Sequence, residues 1–223
     1  MSQSPENPAP TPPEGSVPKA VVSRLSLYLR ELQHLVCDGF ETTSSTQLGK
    51  TLGFTDAQVR KDLAYFGQFG YPGIGYRCVE LIREIKRILG TDRSWPVAMI
   101  GVGNLGRALL RYKGFENQGF RIVAAFDVDL EKVGSEVEGV QVYELDELIP
   151  VVRQQGIRLA IIAVPSDAAP AVASQLVQAG IDGILNFAPI MIPVPDGVSS
   201  IGVDLAIELE QLSFAVVNRT EKS

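Results

Sequence analysis

The chain has 223 residues, 45% of them hydrophobic, with a mean hydropathy of +0.13 and a net charge of −6. That length supports one large packed domain or two small ones. No apolar run reaches the eighteen or so residues of a spanning helix and no charged-then-apolar leader opens the chain, so the expected location is cytoplasmic.

The charge is unevenly spread. Residues 1–90 hold ten Lys/Arg and nine Asp/Glu, and residues 91–223 hold ten and seventeen. The acidity belongs to the second half, and any nucleic-acid contact in the first must come from a local basic patch. Cys37 and Cys78 lie in no ligand or redox motif and read as two buried thiols. With His34 as the single histidine, no metal site is expected.

Residues 1–18 contain six prolines and almost no large apolar group, which predicts a disordered tail. Order is expected from Ser16 as a cap, with Pro18 in the first helical turn. Val21, Leu25, Tyr28, Leu29, Leu32 and Val36 recur at helical spacing until Asp38-Gly39.

Two helix-start signals follow, eleven residues apart: Ser44 with Gln47, and Thr55 with Gln58. Leu52-Gly53-Phe54 supplies a turn between them, so the pair reads as a helix-turn-helix. In the second helix, residues 56–66, Val59, Leu63 and Phe66 face inward. Ala57, Lys61, Ala64 and Tyr65 face outward, with Gln58 and Arg60 on the flanks. Small residues beside Gln, Arg and Lys suit entry into a major groove, where Gln pairs with adenine and Arg or Lys with guanine or phosphate. An ordinary solvated helix face has the same composition.

The glycine-dense run GQFGYPGIGYR (67–77) predicts a hairpin, the wing of a winged-helix domain, with Tyr71 and Arg77 placed to meet DNA. The candidate DNA-contacting residues are therefore Ser44, Ser45, Ala57, Gln58, Arg60, Lys61, Tyr65 and Tyr71. A helix over 78–89, with Val79, Ile82, Ile85 and Leu89 as its apolar positions, closes this part at Gly90. Residues 91–94 read as a linker.

Val97–Ile100 is a buried strand running into Gly101-Val102-Gly103-Asn104-Leu105-Gly106, followed by a helix. This is G-x-G-x-x-G between a strand and a helix. The first glycine makes the turn, the second admits a pyrophosphate and the third lets helix and strand pack closely. A second strand, 121–126, ends on Asp127, whose carboxylate suits the adenine ribose hydroxyls and disfavours a 2′-phosphate, so NAD is expected over NADP. Alternating strands and helices continue the α/β pattern. The strand ends Val164-Pro165-Ser166 and Asn186-Phe187-Ala188-Pro189 are expected to line the same crevice. A final helix, 204–218, carries Leu205, Leu209, Leu212 and Val216 on one face, for its own sheet or for a second subunit.

Over residues 17–219 the chain resembles the Rex family of redox-sensing transcriptional repressors. The resemblance is carried by SRLSLYLREL (23–32), TSSTQLG (43–49), QVRKDLAYFGQFG (58–70), GVGNLG (101–106), FDVD (126–129), GILNFAP (183–189) and VDLAIELEQLSF (203–214). It implies an α/β chain with a winged-helix domain (19–90), a Rossmann-type domain (91–203) and a C-terminal helix (204–219) swapped in a homodimer. It also implies that NADH releases the protein from palindromic operators of fermentation, anaerobic-respiration and NAD-regenerating genes, with NAD+ as competitor. Arg30, Tyr112 and Asp204 match the family's switch residues. Leu205 stands where some relatives carry a phenylalanine that reaches the partner's nicotinamide.

Two other classes fit parts of the pattern. An NAD-dependent dehydrogenase would need an acid or base near its substrate, but His34 lies in the first helix, and Tyr112 and Lys113 belong to no recognisable catalytic group. No catalytic residue is therefore expected. A coenzyme A module shares the open α/β plan, but its 3′-phosphate would meet Asp127.

Overall fold

The structure, a computed structural model, describes residues 17–220; most of the proline-rich segment lies outside them, as does Ser16. The chain divides into two compact units, the first ending at Arg93 and the second beginning at Ser94.

In the first unit, α1 (Lys19–Cys37) is followed by β1 (Thr42–Thr43), α2 (Ser45–Leu52), α3 (Asp56–Ala64), β2 (Tyr76–Arg77) and α4 (Cys78–Leu89). Pro18 is the N-cap of α1 and not a first-turn residue, because its extended backbone (ψ 134°) precedes the helix. The buried stripe of α1 ends on Leu35 and leaves Val36 exposed, one position from the expected phase. Both helix-start signals are used: Ser44 Oγ accepts from Gln47 N–H and Thr55 Oγ1 from Gln58 N–H, each at 3.1 Å. Gly53 caps α2 at φ +76°, a left-handed turn that suits glycine.

α4 packs on α1 through Cys78, Leu81 and Ile85, while Val79 is 66% exposed. The expected apolar set was thus out of phase at its first member. Cys37 is exposed, which corrects the reading of two buried thiols; only Cys78 is in the core.

The 67–77 segment departs from a regular hairpin. Its one internal bridge joins Tyr71 to Gly75, and Tyr76–Arg77 pairs antiparallel with Thr42–Thr43. Pro72 has no N–H to give a ladder, and a Cβ at Gly75 would overlap the Thr43 carbonyl oxygen. The wing is a short loop anchored by a strand pair absent from the sequence reading.

The second unit is a seven-stranded sheet. Its elements are β3 (Trp95–Ile100), α5 (Asn104–Leu110), α6 (Gly114–Asn117), β4 (Phe120–Asp127), β5 (Glu136–Val137), β6 (Val140–Glu144), α7 (Leu148–Gln154), β7 (Leu159–Ile162), α8 (Ala169–Ala179), β8 (Gly183–Asn186), β9 (Ser199–Gly202) and α9 (Leu205–Thr220). The order is β5-β6-β4-β3-β7-β8-β9, parallel except for β5.

Alternating strand residues bury opposite faces. Ala98, Ile100, Phe126 and Ile162 meet α7 and α8; Val97, Met99, Ala125 and Ile161 meet Leu109, Leu110 and Phe115 of α5 and α6. The strand order reverses beside β3, so the ends of β3, β4 and β7 open a crevice at one edge. α9 behaves differently. Leu205, Leu209, Leu212 and Val216 are all exposed, as are Ile207, Phe214 and Val217, so its apolar positions stay largely open to solvent among the described residues.

Candidate functional site

The crevice is built by parallel register. Ile100 pairs with Phe126 and Ile162, and Ile162 with Asn186, so Gly101, Asp127, Ala163 and Phe187 emerge at neighbouring strand ends. Gly101 turns the chain at φ +94°, and any Cβ there would lie 2.6 Å from the Ala163 carbonyl oxygen. A Cβ at Gly106 would overlap the Gly101 carbonyl oxygen, so α5 can approach the turn only as glycine. At Gly103 a Cβ would meet nothing within 4 Å. The three glycines thus divide as the motif requires: two pack against protein and one borders open space.

Asp127 is nearly buried and anchors the loop. Its Oδ2 accepts from Val102 N–H at 2.7 Å and its Oδ1 from Asp129 N–H at 3.0 Å. Lys132 Nζ lies 3.3 Å from Asp127 and 3.1 Å from Asp129. Burial pushes the Asp127 carboxyl up, but the two backbone N–H groups and Lys132 outweigh it and hold the carboxyl below its ordinary value.

A cleft of about 230 Å³ lies over these atoms, lined in part by Gly101, Gly103, Asp127, Val164 and Pro165. Val128, Lys132, Leu145 and Ala168 join them and were missed. They lie in irregular segments or at helix ends, where hydrophobic period carries no signal, although a lysine five residues after Asp127 was a usable charge cue.

The remaining expected cofactor residues fall into three groups. Val102 is in the core and serves through its backbone, while Asn104 and Leu105 are exposed on the first turn of α5. Asn186 is buried and spends its amide on the turn after β8: Oδ1 accepts from Ala188 N–H at 3.0 Å, and Nδ2 donates to the carbonyls of Ala188 and Ile190. It shapes the segment that carries Phe187, Ala188 and Pro189, which do not line the 230 Å³ cleft.

On the first unit, Ala57, Arg60, Lys61 and Tyr65 are exposed along α3, Gln58 is half-buried, and Ser44 is exposed at the α2 cap. Ser45 is the exception, only 9% exposed, with its hydroxyl accepting from Arg60 at 3.2 Å. Arg60 also pairs with Asp56 at 2.7 Å. In the wing, Glu80 takes the Tyr71 hydroxyl and the Arg77 guanidinium, both at 3.0 Å, and Arg77 lies 5.0 Å from the Tyr71 ring centroid.

Asp62 escaped the sequence reading. It is fully buried on α3 and binds Arg24 in fork geometry at 2.5 and 2.8 Å, with Tyr28 Oη at 2.8 Å and Gln58 Nε2 at 2.7 Å. Desolvation raises this carboxyl, but the three partners outweigh it and hold it low; burial, then the bond to Asp62, pushes the Tyr28 hydroxyl up. Arg24 and Tyr28 lie one turn apart in α1, and that spacing on a helix face was the available clue.

The three residues matched to a switch divide between the two units, Arg30 in the first and Tyr112 and Asp204 in the second. Arg30 is exposed on α1. In the second unit, Tyr112 is exposed with its ring edge-on to Phe115 at 5.1 Å, and Asp204 Oδ1 accepts from Ala206 N–H at 2.9 Å. Among the described residues no helix is long and apolar enough to cross a membrane, and no cluster of His, Cys, Asp and Glu could hold a metal.

Residues 16–64 match the family model "Putative DNA-binding protein N-terminus", and residues 92–190 match "CoA binding domain". A redox-sensing transcriptional repressor Rex of Carboxydothermus hydrogenoformans is 47% identical over 200 residues, covering 90% of this chain and 96% of that protein. One of Rhodopirellula baltica is 48% identical over 198 residues, covering 89% and 84%.

Among solved structures, RSP in complex with β-NAD+ and operator DNA superposes with a TM-score of 0.88 at 35% identity, covering 93% of this chain and 95% of that one. RSP in complex with β-NADH gives 0.84 at 33% identity, covering 93% and 97%. The curated relatives are redox-sensing transcriptional repressors, and the likeness runs through both units. On that evidence the chain belongs to the Rex family of redox-sensing transcriptional repressors.

Proposed function

We propose that this protein is a cytoplasmic homodimeric repressor that holds operator DNA when its crevice contains NAD+ or is empty, and releases it when NADH binds. Residues 19–90 act as the winged-helix DNA-binding domain, 91–203 as the dinucleotide-binding domain and 204–219 as the dimer helix. One observation carries the reading: Asp127, fixed by the Val102 N–H, stands beside open space at Gly103 in a chain that also bears an exposed helix-turn-helix.

The cleft fits one half of a dinucleotide. Its volume of about 230 Å³ falls below the roughly 300–1,000 Å³ of complete ligand pockets. It suits the adenosine end, with Asp127 toward the ribose hydroxyls and the pyrophosphate over Gly103. The nicotinamide would run toward Phe187–Pro189. The coenzyme A model shares this α/β plan, and the relatives' redox-sensing role favours NADH as effector.

NADH and NAD+ differ by a hydride, so the cofactor changes charge and ring shape at one end only. A ligand shifts an equilibrium only as far as its affinities for the two states differ. Coupling of about 1–3 kcal/mol changes DNA affinity about 5–150-fold. Two DNA-reading heads must match half-sites at helical-repeat spacing, so a small change in their separation lowers affinity. Arg30, Tyr112 and Asp204 are the residues proposed to exchange partners in that change.

The testing experiment is fluorescence anisotropy of a labelled operator selected from a random library, titrated with NADH, NAD+ and NADPH. Release by NADH alone is the expected result. A complex that survives saturating NADH contradicts the reading. Arg30→Ala should shift the release curve to higher NADH; an unmoved curve removes Arg30 from the switch.

A further inference from the structure

We propose that Asp62 is a specificity-positioning residue: by holding one N–H of Gln58, it makes Gln58 read adenine and reject guanine in each operator half-site. This rests on the reading of α3 as the DNA-recognition helix.

Both oxygens of the Asp62 carboxylate are engaged twice. Oδ1 takes Arg24 Nη2 and Gln58 Nε2; Oδ2 takes Arg24 Nε and Tyr28 Oη. Every group facing this buried anion is therefore a donor. A glutamine amide has one donating and one accepting end, and only the NH₂ can face a carboxylate. Turning the amide end for end would place its carbonyl oxygen 2.7 Å from a negative oxygen. The choice of end is fixed by chemistry, in a side chain that on an open surface would rotate freely.

What remains of Gln58 is one N–H and the carbonyl oxygen, which among the described residues takes no hydrogen bond from the protein. Adenine presents an acceptor (N7) beside a donor (N6–H₂) in the major groove, and a glutamine carbonyl and N–H match that pair. Guanine presents two adjacent acceptors, N7 and O6. Pairing with both needs two donors, and one of the two Gln58 hydrogens is already committed. Gln58 sits three residues past the Thr55 cap, in the first turn of α3. That is the part of a recognition helix that reaches base edges. Arg24 and Tyr28 make the hold rigid, since both project from α1 and anchor the anion from the core side.

The test is selection from a randomised duplex library, followed by anisotropy on single-substituted operators with wild type, Gln58→Ala and Asp62→Asn. In the wild type, one A-to-G change per half-site should weaken binding tenfold or more. Gln58→Ala should flatten that position. Asp62→Asn frees the amide to turn, and should cut the A-over-G preference there below threefold while preserving preferences elsewhere and release by NADH. A full preference retained in Asp62→Asn, or an equal loss on every duplex, overturns the proposal. If Asp62→Asn does not fold, the Gln58 Nε2 hydrogens of the wild type decide the matter. One should exchange with solvent more slowly than the other; equal exchange overturns the proposal. A wild type that selects no sequence at all refutes the recognition-helix reading itself.

Discussion

Gly106→Ala separates packing from ligand contact in the crevice. Gly106 lies in α5, where alanine is intrinsically better than glycine by about 1 kcal/mol. The added Cβ would overlap the Gly101 carbonyl oxygen and lie 3.0 Å from its carbonyl carbon. Those backbone atoms cannot swing aside, because Gly101 N–H is bonded to the Phe126 carbonyl at 2.8 Å. The helix must lift instead, and overpacking of this kind costs about 1–3 kcal/mol. Lifting also weakens the 2.7 Å bond from Val102 N–H to the Asp127 carboxylate, a charge-assisted bond worth about 1.5–3 kcal/mol.

The losses exceed the propensity gain, leaving a destabilisation of about 2–4 kcal/mol. Urea unfolding read by the fluorescence of Trp95, the single tryptophan and the first residue of β3, measures it directly. Gly103→Ala is the control. No atom lies within 4 Å of its new Cβ, so its urea midpoint should stay put while NADH affinity falls about tenfold, or 1.4 kcal/mol. An unmoved midpoint in Gly106→Ala, or equal destabilisation in both variants, refutes the division of roles among the glycines.

Three further outcomes are expected. Asp62→Asn should destabilise the protein by about 3 kcal/mol at neutral pH, since it breaks a buried ion pair. Because the Asp62 carboxyl is held below its ordinary 3.8, that stability is present above this value and lost as pH falls through the depressed one. Urea midpoints should therefore show a wild-type advantage that is full above about pH 4 and narrows below it. Leu212→Asp puts a charge on the exposed apolar face of α9, where Leu212 is 62% exposed; sedimentation should report a dimer for the wild type and a monomer for the variant. Lys61→Ala, at a residue with no ion pair among those described, should lower operator affinity equally on all sequences and reduce the slope of affinity against salt by about one.

The second unit was the more legible half. Its central strands β3, β4 and β7 carry continuous apolar runs and the turn after β3 is a glycine motif whose three positions each have a separate steric reason, so Gly101, Gly103, Gly106 and Asp127 could be located from spacing alone. In the first unit, Ser44 and Thr55 announced α2 and α3 because side-chain caps are local chemistry. What stayed hidden depends on contacts distant in sequence. Asp62 reads as a polar surface residue until Arg24 and Tyr28, 38 and 34 positions away, close on it. The wing's partner strand, Thr42–Thr43, is two residues long and has no period to detect. Val36 and Val79 were misplaced by single-residue phase errors, which an apolar neighbour in sequence easily produces. Asn186 was expected to line the crevice, but its buried amide is spent on the turn after β8, a local bond pattern that strand periodicity does not reveal.

Reciprocity offers the most direct test of cofactor control. If NADH lowers operator affinity by some factor, saturating operator must lower NADH affinity by the same factor. Calorimetric titration of NADH into the free protein and into the protein–operator complex measures both sides of that balance. Operator should raise the NADH dissociation constant about 5–150-fold, matching the loss of DNA affinity caused by NADH. An NADH affinity indifferent to bound operator would contradict cofactor control.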